Sequence, residues 1–136
     1  MQKILKTTLA AVLVTASAGA AMALPPLEDD PRVVREFFAA AVGDEIRNNC
    51  PSISARMLRV VVRVKELESY ALKLGYSQDD ITAMRKSPEA KEKLKQMRDA
   101  YLAKNGVTEG DAQSYCRLGL AEIEKNTLTG YLLRAN

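Results

Sequence analysis

The chain has 136 residues, with 20 Lys+Arg against 17 Asp+Glu, no histidine, no tryptophan and two cysteines. The missing histidine excludes Ser-His-Asp and Cys-His catalysis and removes the commonest protein ligand of zinc and haem. The near balance of charge argues against a nucleic-acid partner, because phosphate binding needs a basic excess on one face.

The chain opens MQKILKTTLAAVLVTASAGAAMALPP. Lys3 and Lys6 form a basic start, Leu9–Val14 and the alanine-rich stretch after them an apolar centre, and Ala21-Met22-Ala23 a small-residue cleavage site. This layout predicts a cleavable secretory signal over residues 1–23 and a single helical domain over 24–136 in the periplasm. The apolar stretch approaches the ~20 residues of a membrane span. Small residues dominate its second half, however, and Pro25-Pro26 follow the site. No cysteine lies near the cut, which excludes a lipoprotein signal. Past it no apolar run is long enough to span a bilayer, so no stable membrane insertion is expected after cleavage.

Leu24–Asp30 reads as an extended lead-in held open by its prolines. Asp30-Pro31 gives an N-cap acceptor followed by proline at the first helical position, so a first helix is expected from Pro31 to Asn49. Its apolar stripe is Val33, Val34, Phe37, Phe38, Ala41, Val42 and Ile46, and Cys50, four residues on, continues the buried side. Pro51 ends that helix. Ser52 or Ser54 is expected to cap a long second helix from Ile53 to Leu74. Its stripe, Ile53, Met57, Val60, Val64, Leu67, Ala71 and Leu74, is the most regular in the chain. Val60-Val61-Val62 locally favours a strand, but the stripe outweighs it. Gly75 sits at a C′ position.

Ser77-Gln78-Asp79-Asp80 resembles a capping box and starts a short third helix to about Lys86. Ser87-Pro88 starts a fourth, Pro88–Lys104, with stripe Ala90, Leu94, Met97 and Tyr101. Whether these two are separate or one rod kinked at Ser87-Pro88 stays open at this level. Asp111 caps a fifth helix through about Lys125, with Cys116, Leu120 and Ile123 on one face. The tail, Thr127–Asn136, packs as a last short helix or an extended strap. Strand signals are essentially absent, so the expected fold is all-α, a compact bundle of four to six helices.

Two cysteines in an exported chain are the even count of one disulfide, and each lies on the apolar face of its helix, so Cys50–Cys116 is the expected bond. The rival is a reactive thiol, which needs an electropositive, partly exposed site; Arg47 and Arg117 are near in sequence, but the apolar phase points to burial. Carboxylate chemistry stays open through Glu45, Glu122 and Glu124, as in a glycosidase pair. Ordinary helix-surface acids, paired with neighbours such as Arg47 or Lys125, account for them without any catalytic role. Neither Glu28-Asp29-Asp30 nor Asp79-Asp80 matches an ordered calcium loop, and helix caps account for both. No cofactor motif, metal site or catalytic constellation is expected.

Two segments, LPPLEDDPRVVREFFAAAVGDEIRNNCPSISARM and GVTEGDAQSYCRLGLAEIEKNTLTGYLLRAN, resemble a family of small exported alphaproteobacterial proteins classed as a domain of unknown function. The resemblance spans nearly all of residues 24–136. It supplies no catalytic or binding residue, and implies an accessory role at the periplasmic face of a respiratory membrane complex. A looser architectural resemblance, carried by Cys50 and Cys116 alone, is to periplasmic acid-stress chaperones. The expected function is therefore non-enzymatic binding of a protein partner. A chaperone is the alternative, and a carboxylate-based hydrolase a remote one. Leu128, Tyr131, Leu132 and Leu133 in the tail serve either as core strapping, the preferred reading, or as a partner-docking element.

Overall fold

The structure is a computed structural model that describes residues 22–136. Of the expected signal segment, all but Met22 and Ala23 lies outside the described residues. Six α-helices follow in order, α1 Pro31–Asn49, α2 Met57–Lys73, α3 Gln78–Lys86, α4 Pro88–Lys104, α5 Ala112–Glu124 and α6 Leu128–Leu132. A 3-10 turn at Leu27–Asp29 precedes them. Two short strands, β1 Ile53–Ala55 and β2 Leu133–Ala135, form one antiparallel ladder. The fold is the expected all-α bundle, with this ladder added.

Helix starts follow the capping chemistry. Asp30 accepts hydrogen bonds from the Arg32 and Val33 amides ahead of Pro31. Ser77 and Asp80 complete a reciprocal capping box. Ser87 closes α3 with its backbone and caps α4 with its hydroxyl, so α3 and α4 are separate helices. Gly75 takes φ +100 after α2, a conformation that favours glycine.

The start of α2 differs from expectation. Ile53–Ala55 is a strand, with Ile53 opposite Ala135 and Ala55 opposite Leu133. The helix begins four residues late, at Met57, and Arg56 precedes it with no side-chain cap. Neither serine caps it. Ser54 Oγ donates to Asn136 Oδ1 and accepts from Arg134 Nε, while Ser52 Oγ sits 3.2 Å from Cys50 Sγ and 3.7 Å from Cys116 Sγ. The ladder partner lies about 80 residues downstream, so no local signal announces it.

Two apolar clusters hold the bundle. The larger joins Val42, Ile46, Cys50, Ile53, Leu102, Tyr115, Cys116, Leu118 and Leu133. The Cys50–Cys116 disulfide lies within it, with Cα atoms 5.1 Å apart. The smaller joins Leu27, Val33, Ala71, Tyr76 and Ile81, with Phe37, Leu67, Tyr70 and Met84 against it. Tyr76 Oη donates to the Pro25 carbonyl and Tyr70 Oη to Asp30, which ties the lead-in to this cluster.

Two expected stripes also shift. On α5 the buried face is Tyr115, Cys116, Leu118, Gly119 and Glu122, while Leu120 faces solvent. On α2 only Ala71 is fully buried, and Met57, Val64 and Leu74 are exposed. In the smaller cluster the bundle meets α2 through Leu67, Tyr70 and Ala71, a narrower side than the apolar stripe offers.

Candidate functional site

An open apolar groove runs beside α1. Its floor is Phe37, which lines three adjoining recesses. One lies between α1, α3 and α4, walled by Val34, Met84, Leu94 and Met97. Another lies between α1, α2 and α3, walled by Val64, Leu67 and Ile81. The third runs between α1 and α2 toward Leu132 of α6. The helical spacing of Val33, Val34 and Phe37 puts these side chains on one side of α1. That side is left incompletely covered, with Val34 and Phe37 only half-buried.

Charged groups stand both within the groove and on its rim. Glu36, 7% exposed, accepts from the guanidinium of Arg63, which also pairs with Glu66 at 3.1 Å. The hydrogen bond to Glu36 raises the pKa of Arg63 further above its ordinary value. Arg85, Lys91 and Lys93 stand on the α3–α4 rim, and Lys93 is bonded to Asp29 at 2.8 Å. Sequence reasoning missed Glu36 because it reads as a surface acid beside an apolar stripe. Its partner is 27 positions downstream.

The second surface is an exposed apolar one at the start of α2. Met57, Leu58, Val61 and Val62, in the first two turns of α2, are 61%, 85%, 47% and 52% exposed. Arg56, Arg59 and Arg134 border Met57 and Leu58. Arg56 Nε donates to the Leu133 carbonyl, and Arg59 donates to the Tyr131 carbonyl and stacks 4.4 Å above the Tyr131 ring. The tail thus organises this surface through its backbone.

The tail residues divide. Leu132 and Leu133 are buried, Leu128 is half-buried and Tyr131 is 37% exposed. Thr129 Oγ1 donates to the Ala39 carbonyl, which fastens α6 to α1. The structure therefore presents Tyr131 outward while Leu132 and Leu133 fill the interior.

The candidate acids are placed apart from both surfaces. Glu122 is buried and accepts hydrogen bonds from Tyr101 Oη and Thr127 Oγ1, which join α4, α5 and α6. Burial and this bond push Tyr101 up to about 12. Glu45 is half-buried and pairs with Arg98 at 3.3 Å. Glu124 is exposed at the end of α5. None of the three lines the recesses described above. Among the described residues no group of three or more Cys, Asp or Glu is arranged to hold a metal ion, and no helix is long and apolar enough to cross a membrane.

Residues 25–134 match the model of a family described as a family of unknown function (DUF5333). No curated protein matches the chain. No solved structure matches it. The chain belongs to that family.

Proposed function

We propose that this member of a family of unknown function is an exported, disulfide-stapled helical bundle that acts by binding a protein partner in the groove over Phe37. The single observation that carries the reading is the continuity of three apolar recesses around one half-buried phenylalanine. Such a groove accepts the apolar face of a partner helix, with anchors spaced three and four residues apart. Its walls are aliphatic and methionine-rich at Met84 and Met97, which adapt to a partner's side chains.

Export rests on the layout of residues 1–23 and on the disulfide, which fits an oxidising compartment. The partner is proposed to be a component of a membrane complex at its periplasmic face. That part rests on the family resemblance.

Affinity capture from the periplasm and solubilised membranes tests the reading. Met97 is on the groove wall and exposed, so Met97→Asp leaves the cores intact. The native protein retains one stoichiometric partner and Met97→Asp loses it. Equal retention by both removes the groove from the account.

A further inference from the structure

The exposed start of α2 lies outside the groove and carries its own chemistry. Its four large apolar side chains, at positions i, i+1, i+4 and i+5, form one ridge with Leu58 at its apex. Large contiguous exposed apolar patches rimmed by polar residues mark interaction sites. The flanking charge is of one sign. Arg56, Arg59 and Arg134 border the ridge, Lys65 follows it, and the first turn of α2 has no acid.

Among the described residues no carboxylate lies within ion-pair distance of Arg56, Arg59, Lys65 or Arg134. The three guanidinium groups are instead positioned by neutral oxygens, the Leu133 and Tyr131 carbonyls and Ser54 Oγ. Each has N–H donors left over. The acids further along α2 are occupied, Glu66 by Arg63 and Glu68 by Gln78.

We propose that this ridge seats on an anionic membrane surface, Leu58 and its neighbours entering the headgroup–acyl boundary while Arg56, Arg59, Lys65 and Arg134 meet lipid phosphates. Exposure and charge favour a bilayer over a protein. The apex of the ridge is 85% exposed, and the cations that border it, Arg56, Arg59 and Arg134, have no carboxylate partner among the described residues. Shallow apolar insertion combined with cation–phosphate attraction is the way interfacial helices hold to anionic lipid. The contact is peripheral and spans nothing.

The test is co-sedimentation of the protein from residue 24 onward with vesicles of phosphatidylcholine, with and without phosphatidylglycerol. Expected is an apparent partition coefficient at least about tenfold higher on the anionic vesicles, falling as salt is added. Leu58→Asp and Lys65→Glu, both at exposed positions, each reduce it severalfold with an unchanged circular dichroism spectrum, while Lys104→Glu reduces it far less. Equal binding to neutral vesicles, no binding to either, or full binding by Leu58→Asp overturns the proposal. So does capture of an acidic amphipathic peptide by a ridge that ignores vesicles, which assigns the ridge to a protein. Met97→Asp retains vesicle binding, which separates this result from the fate of the groove.

Discussion

Gly130 of α6 lies against the backbone carbonyl of Glu122 in α5, so close that a β-carbon at position 130 would overlap it. The neighbour is backbone and cannot swing aside. Gly130→Ala must therefore separate α6 from α5, and overpacking of this kind costs about 3 kcal/mol or more. Gly43 in α1 is the contrast. A β-carbon there meets Leu133 and Thr129 at 3.6 and 3.7 Å, ordinary contact distances. Gly43→Ala is expected to be neutral, or stabilising by up to about 1 kcal/mol through helix propensity. Urea unfolding of the two variants side by side checks both.

The tail's inward half is predicted to be structural. Leu133 is 1% exposed inside the larger cluster, and Leu133→Ala is expected to cost about 2–5 kcal/mol. Tyr131→Ala removes a partly exposed ring and one cation–π contact with Arg59, a loss of about 0.5–1 kcal/mol. Thermal melts of the two single variants separate the roles, which deletion of the whole tail merges.

Reduction of the Cys50–Cys116 bond releases a loop with a sequence separation of 66. In the chain-entropy model this lowers stability by about 4 kcal/mol. Thiol labelling of the protein isolated from its native host and unfolded without reductant is expected to find no free cysteine. Two labelled cysteines would contradict the pairing.

The helix order, the caps and the cysteine pair were legible because their causes are local. Asp30, Ser77 and Ser87 act on amides two or three residues away, and Cys50 and Cys116 each continue an apolar phase. What was illegible depends on distant chain. Ile53–Ala55 reads as the first turn of α2 until Leu133–Ala135 arrives to pair with it. The long stripe of α2 counts apolar residues, and periodicity cannot tell a face covered by the bundle from one left open. Leu58, Val61 and Val62 lie off that stripe, and with Met57 they form the ridge; the two valines read only as a local strand signal. Glu122 was legible as a carboxylate, and only the fold shows its oxygens joining Tyr101 to Thr127.

The Tyr101–Glu122 contact predicts a stability loss in alkali. Tyr101 is raised to about 12 from 10.0 by burial and by its bond to Glu122. A group whose folded pKa is raised contributes its full stabilisation below the unfolded value and loses it as pH climbs toward the folded one. The window is thus between 10.0 and about 12. Allowing for partial exposure, the loss is about 1–2 kcal/mol. Burial also raises Tyr115, and the bond to Asp30 raises Tyr70, so several tyrosines titrate late. Tyr101→Phe is expected to flatten the pH dependence attributable to this pair in urea unfolding across that window.

Partner binding over Phe37 is tested most directly by site-specific photocrosslinking of the full chain in its native host. A photoreactive residue at Met97 or Arg85 faces the groove, and one at Lys104 or Arg117 is an exposed control outside it. The account predicts one discrete adduct of the same mass increment from positions 97 and 85, and none from 104 and 117. Adducts spread equally over all four positions, or absent from the groove positions alone, would contradict it.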